Sequence, residues 1–385
     1  MAQESINSIP FNRPFIAGKE LHYISQAVLS GHLAGNGVFT KQCQKWLEAQ
    51  ATCKKALLTS SCTGALEMAA ILSQIQPGDE VILPSYTFVS TANAFYLRGA
   101  KLIFADITAD TLNLDPKSVE EKITAKTKVI CIVHYAGVAC QMDAFIDLCT
   151  SKKIILIEDA AHAIGAYYKN TPLGSFGAMS TFSFHETKNF ISGEGGALGI
   201  NDFELIERAE IIWEKGTNRS QFFRGLADKY TWVDIGSSFL PSELIAAFLF
   251  AQFEQAEEIT RRRISNWEYY KKELNELEQK GRLRLPIIPS YAKHNAHMFY
   301  ILLESGTVRD GLMGYLRERG ILAVFHYIPL HSSPMGMSMN YKEGMFPITE
   351  SLSRKILRLP LFYDLKREEQ DRVVNGISDF LKTSG

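Results

Sequence analysis

The 385 residues are 46% hydrophobic and 22% charged, with 41 lysines and arginines against 42 aspartates and glutamates. That near-neutral balance excludes the basic excess of a nucleic-acid binder, and no apolar run reaches the roughly eighteen residues of a membrane span. Residues 1–14 lack a basic start followed by an apolar stretch, so they do not read as a secretion signal; six cysteines without a CxxC pair read as reduced thiols of a cytoplasmic protein.

From residue 55 onward, short apolar runs alternate with helical stretches. Ala56–Leu58 predicts a strand, and Thr63–Gln74 the helix after it. Val81–Leu83 precedes a helix through Ser90 to Leu97. Lys101–Asp106 leads to a helix opened by Asp115 and Pro116, a capping residue and a first-turn imino acid. Lys128–Val133 leads to a helix near Asp143–Ser151, and Ile154–Asp159 closes the series. Strands apolar on both faces and separated by helices imply an α/β fold with a mostly parallel sheet covered on both sides. Ligands of such sheets sit beyond the carboxyl ends of the strands. That points to Ser60–Thr63, Ser85–Phe88, His134–Tyr135 and Asp159–His162.

The texture changes near residue 250. Glu254–Lys280 reads as a charged helix, with Arg261, Arg262 and Arg263 on a solvated face. Phe299–Leu303, Ile321–Tyr327 and a last helix near Glu368–Leu381 describe a smaller α/β domain. Two domains are therefore expected, 1–250 and 251–385, with the first residues packing on the smaller one. His294 and His297 lack a second ligand pair and read as packing or surface residues, so no metal site is expected.

Chemistry concentrates in Met179–Asn189. Residues 179–185 alternate in strand fashion, and Lys188 follows before the turn Gly193-Glu194-Gly195-Gly196. Taken singly, each candidate has two readings. Lys188 is a surface lysine or a reactive amine; Asp159 is a helix cap or a site carboxylate. Ser60–Gly64 is a plain capping turn or a phosphate cup. Phe88 is a core aromatic or a flat support for a ring. Together they are what pyridoxal 5′-phosphate (PLP) chemistry requires: an amine to bond the aldehyde, a carboxylate at the pyridine nitrogen, a phosphate turn and a flat wall.

Four blocks then occur in order: Thr59–Leu66, Pro84–Asn93, Glu158–His162 and Ser183–Asn189. In these the chain resembles the DegT/DnrJ-type sugar-nucleotide aminotransferases over essentially its whole length. The resemblance implies the fold type I (aspartate aminotransferase-like) architecture, with PLP cycling through pyridoxamine phosphate. It implies that Lys188 forms the covalent link to the cofactor and that Asp159 pairs with its ring nitrogen. His162 would lie near the ring hydroxyl and Phe88 would stack on the ring. Cys62, Thr63 and Ser183 would hold the phosphate. It also implies a homodimer with active sites at the interface. Many members carry Gly-x-Asn-x-Arg where this chain has Gly236–Leu240, so Ser238 stands where an asparagine reaches the partner's phosphate.

His134–Cys140, Lys215–Gly225, Tyr230–Ser238 and Phe325–His331 resemble the branch that aminates a dTDP-linked 4-keto-6-deoxy sugar for surface glycans. That implies L-glutamate as donor and an axial amine. The loop 215–229, with Arg219 and Arg224, either meets a diphosphate or only solubilises the surface. His326 and His331 either reach a substrate or pack the domain junction. The nearest rival is the same chemistry on another nucleotide-linked keto-sugar, at a different carbon or giving the gluco epimer. Two others are a PLP-dependent dehydratase, in which histidine replaces the lysine, and a non-catalytic regulator. Lys188 argues against the dehydratase, and Lys188, Asp159 and the phosphate turn together argue against the regulator.

Overall fold

Side chains alternate across a strand, so a strand apolar at every position must be covered on both faces. In the computed structural model, which describes residues 8–383, this is how the chain is arranged. In chain order the strands are β1 (Lys55–Thr59), β2 (Glu80–Pro84), β3 (Lys101–Ala105), β4 (Thr127–Val133), β5 (Ile155–Asp159), β6 (Tyr167–Tyr168), β7 (Thr171–Pro172), β8 (Met179–Ser183), β9 (Gly196–Ile200), β10 (Ala292–Lys293), β11 (Phe299–Leu302) and β12 (Ile356–Leu359). Leu58, Ile82, Ile130, Leu156 and Phe182 fill one core. Their neighbours Leu57, Val81, Val129, Ile157 and Met179 fill the core on the other side.

Among the described residues, seven strands form the central sheet in the order β1-β9-β8-β5-β4-β2-β3. From β3 through β2, β4 and β5 to β8, every pairing is parallel. Only β9 runs against its neighbours, β1 and β8. It therefore starts at the edge where they end, and Gly196 lies in register with both Thr59 and Ser183. The intervening helices form as their periodicity implies: Cys62–Leu72, Val89–Tyr96 and Met142–Lys152. Asp115 accepts the Lys117 amide at 3.0 Å, with Pro116 in the first turn.

A further core lies in the C-terminal part. Here β11 and β12 pair antiparallel, and Trp267, Tyr270, Phe299, Leu312 and Phe362 pack together. Ile9 joins this cluster at 1% exposure and pairs with Ile321.

Two expectations are corrected. Ile321–Tyr327 makes no ladder. Ile321 bridges Ile9 while Val324 bridges Arg358; with a different partner on each side, no consecutive pairs build up. Tyr327, at φ +22°, also leaves the extended region. Arg263 is not on a solvated face. Helical spacing aligns it with Asn266, Trp267 and Tyr270, all buried. Its guanidinium donates to the carbonyls of Ala296 at 3.1 Å and His297 at 2.7 Å, and burial lowers its pKa to about 10.

Candidate active site

The carboxyl edge of the sheet opens on a cavity of about 1010 Å³. Asp159, the last residue of β5, lines it and is 5% exposed. One carboxylate oxygen accepts the Thr91 hydroxyl at 2.7 Å and the other the Ala161 amide at 3.2 Å. Thr91 has committed its proton there, so it accepts from Thr87 at 2.9 Å. Burial raises the Asp159 pKa, against these hydrogen bonds and the charge of Lys188. Behind it, His134 Nδ1 accepts the Cys140 amide, which leaves Nε2 to donate to Glu158 at 2.9 Å. Glu158 also accepts the amides of Gly174, Phe176 and Gly177 at 2.7–2.8 Å. A fully satisfied buried network of this kind makes the end of β5 rigid.

Lys188 enters the same cavity from the loop after β8. The loop is tied to itself by Glu186 N–H to Gly193 O and Ser192 N–H to Phe184 O, at 2.9 and 2.8 Å. Burial lowers the Lys188 pKa to about 8, helped by the charge of Arg358 and opposed by Cys62 and Asp159.

Three histidines form one wall. His162 stacks on His297, with ring centroids 4.1 Å apart, and lies 6.5 Å from His326. Burial lowers the pKa of all three well below the usual histidine value, so the wall is uncharged. His162 Nδ1 is buried without a partner. His326 Nδ1 meets the Tyr135 hydroxyl at 2.6 Å. His297 Nδ1 meets Asn189 Oδ1 at 3.0 Å, Asn189 donates to Asn295 O, and Asn295 donates to His162 O at 2.7 Å. The lysine loop, the end of β5 and the segment before β11 are thus one hydrogen-bonded unit.

On the far side, Ser61 caps the helix Cys62–Leu72 by accepting the Gly64 amide at 3.1 Å. The first-turn amides of Cys62 and Thr63 have no carbonyl behind them in the helix. Thr63 Oγ1 meets Ser90 Oγ at 2.7 Å. A Cβ on Gly196 would collide with the Ser61–Cys62 backbone, so only glycine lets β9 lie against this turn. Ser183 lies beside it, and Phe88 stands 55% exposed at the rim.

Not every residue singled out from sequence meets there. Ser238 and Arg219 line a separate cavity of about 590 Å³, together with His32, Lys41, Lys215 and Glu214. Arg224 pairs with Glu210 and lines neither cavity. His326 reaches the main cavity. His331 does not: it is fully buried between Ser85 Oγ at 2.6 Å and Glu350 at 3.0 Å. Sequence reasoning gave no role to Thr91, Tyr327 or Arg358, which line the cavity, and read His297 as a packing or surface residue, whereas it lines the cavity too. For Thr91 a signal existed, since it sits in the first turn of the helix that follows β2, three residues after the N-cap Phe88 at the sheet's carboxyl edge. His294, by contrast, packs against Trp267 at 4.3 Å.

The cavity suits PLP on its own geometry. It has a helix start for a phosphate, a partnerless buried His162 nitrogen, a half-buried amine and a buried carboxylate across one space. Comparison with known proteins agrees. Residues 14–378 match the model of the DegT/DnrJ/EryC1/StrS aminotransferase family. The chain is 30% identical over 390 residues to the spore coat polysaccharide biosynthesis protein SpsC of Bacillus subtilis, covering 99% of each. It is 32% identical over 374 residues to the GDP-perosamine synthase of Escherichia coli O157:H7, covering 97% of this chain and 98% of the other. Spr1654 from Streptococcus pneumoniae, solved in a PLP form, superposes with a TM-score of 0.90 at 25% identity, covering 98% of this chain and 99% of that one. This chain belongs to the DegT/DnrJ/EryC1/StrS aminotransferase family of PLP-dependent sugar aminotransferases.

Proposed function

We propose that the chain transfers the amino group of L-glutamate to C4 of dTDP-4-keto-6-deoxy-D-glucose, giving dTDP-4-amino-4,6-dideoxy-D-galactose and 2-oxoglutarate. One observation carries the chemistry: an amine of lowered pKa, Lys188, and a buried carboxylate, Asp159, open on one cavity. The choice of sugar rests on the resemblance of residues 134–140, 215–225, 230–238 and 325–331 to the branch described above.

PLP, when bound, supplies an electron-poor ring that stabilises the charge left on carbon when a proton departs. Asp159 would hold a proton on the ring nitrogen through a charge-assisted hydrogen bond. Lys188 would hold the cofactor covalently, and its Nζ, when free, would be the base that takes the donor α-proton and the acid that returns it, a role suited to an amine whose pKa burial lowers to about 8. His162 Nδ1 serves the ring hydroxyl, and Phe88 supplies the flat face. The amides of Cys62 and Thr63, with the Ser183 hydroxyl, hold the phosphate. We assign the cavity of Ser238 and Arg219 to a second copy of the chain, where Ser238 completes the phosphate contact and Arg219 meets the diphosphate.

The test is the product. Purified protein, PLP, L-glutamate and the keto-sugar are incubated and the proton spectrum of the sugar recorded. A small H3–H4 coupling is expected, as for an axial amine. A large coupling would make the product the gluco epimer. Glutamate turnover without a sugar product would reject the sugar nucleotide.

A further inference from the structure

Asn189 follows Lys188 directly in the chain, and its half-buried side chain reaches across to the C-terminal part. The hydrogen bonds there leave its amide one orientation. The backbone carbonyl of Asn295 can only accept, so the group facing it at 2.9 Å is the Asn189 NH2. Asn189 Oδ1 therefore faces His297 Nδ1, at 3.0 Å. An amide oxygen also only accepts, so Nδ1 must carry the hydrogen. The ring is uncharged, because burial lowers its pKa well below the usual histidine value. A neutral imidazole has a single N–H, and the partner of one nitrogen decides the state of the other. Nε2 is left with a lone pair.

The rest of His297 is held as firmly. Its amide donates to Asn295 Oδ1 at 3.1 Å, its carbonyl accepts from Arg263 at 2.7 Å, and its ring stacks on His162. His297 lines the main cavity, whereas Asn189 does not. Among the described residues nothing donates to His297 Nε2, and unlike His162 Nδ1 this nitrogen is not shut away from the cavity.

An open lone pair narrows what can meet it. Carboxylate and phosphate oxygens have no hydrogen to give, and the amine of the donor is taken up by the cofactor. A keto-sugar offers hydroxyls. In the one proposed above, C1 carries the diphosphate, C4 the carbonyl and C6 is a methyl, so the free hydroxyls are those on C2 and C3. The C3 hydroxyl is beside the reacting carbon. The neighbouring carbonyl withdraws electrons from it, which makes it a better donor and a poorer acceptor.

We infer that Asn189 is a positioning residue: it fixes His297 in the Nδ1–H tautomer and so holds Nε2 as the acceptor for the C3 hydroxyl of the keto-sugar. The inference rests on the sugar reading above. It gives the residue next to the lysine a part in the sugar half of the reaction, exerted only through His297.

Nitrogen–proton spectra of holoenzyme carrying isotope-labelled histidine read the tautomer, with the His297 signals identified by their absence in His297→Gln. The Nδ1–H form alone is expected in wild type and a mixture in Asn189→Ala; the Nε2–H form in wild type would overturn the inference. The two halves are then measured apart. Protein loaded with pyridoxamine phosphate is mixed with the keto-sugar, or with its 3-deoxy or 2-deoxy analogue, and the rise of the visible cofactor band gives kcat/KM. PLP-loaded protein mixed with L-glutamate gives the other half. Asn189→Ala is expected to lower the sugar half roughly 5- to 20-fold. The L-glutamate half should change by no more than about twofold, which also reports that the lysine and the fold are in place. With the 3-deoxy sugar the gap between wild type and variant should close, and with the 2-deoxy sugar it should persist. A gap that survives loss of the C3 hydroxyl, one that closes only on loss of the C2 hydroxyl, or an equal fall in both halves overturns the inference. If wild type aminates no keto-sugar, the sugar reading falls and this inference with it; if wild type does so and Asn189→Ala matches it, only this inference falls.

Discussion

Lys188 shows what one residue gives up to work where it does. Its amine titrates near 10.5 in the unfolded chain and near 8 in the fold. Below pH 8 it is charged in both states, and the folded state bears the full desolvation cost. Between 8 and 10.5 the folded state has released the proton and the unfolded state has not, so this cost fades as pH rises. Above 10.5 neither state is charged. In the cofactor-free chain, Lys188→Met should therefore gain roughly 1–3 kcal/mol at pH 7, shrinking by pH 10. Urea unfolding at the two pH values checks this. The same variant should show no turnover at any pH. An equal gain at both pH values would mean that packing, not charge, sets the change.

Among the elements, the turn from β1 into the helix Cys62–Leu72 depends on its neighbour across the sheet. Gly196 starts β9 against the Ser61–Cys62 backbone, where a methyl group has no room. Gly196→Ala should cost about 1–3 kcal/mol in urea unfolding. Because the displaced groups are the first-turn amides, it should also weaken PLP binding by equilibrium dialysis. A variant of unchanged stability and affinity would mean that the turn gives way freely. The Ser60–Gly64 turn itself was legible, since small residues between a strand and a helix are a local signal. The reversed β9 that closes on it was not, because five residues with glycines at Gly196 and Gly199 announce no direction. Ile321–Tyr327 failed for a related reason. Its apolar pattern is genuine, but whether a segment forms a ladder depends on what lies beside it, and here two different segments do.

For the whole molecule, the segment 223–235 exposes Phe223, Leu226, Tyr230, Trp232 and Val233. It adjoins the cavity that holds Ser238 and Arg219. Apolar residues clustered in one exposed segment mark an association surface. The chain should run as a dimer by light scattering, and Trp232→Asp should shift it toward monomer and lower activity together. A fully active monomer would remove Ser238 and Arg219 from the site.

The sequence by itself determined the α/β class, the strands β1 to β5 and β8, the edge at which chemistry occurs, and the family. These follow from local information: the period of apolar residues, capping chemistry, and short motifs whose residues are neighbours in the chain. Tertiary structure alone decided the rest. It turned His331 inward between Ser85 and Glu350, buried Arg263, and carried His297 and Arg358 to the cavity that Lys188 lines. His297 and Arg358 come from the C-terminal part, more than a hundred positions from the lysine. Only packing of the C-terminal core against the sheet edge brings them there, and no local pattern encodes a contact between surfaces that fold separately in sequence.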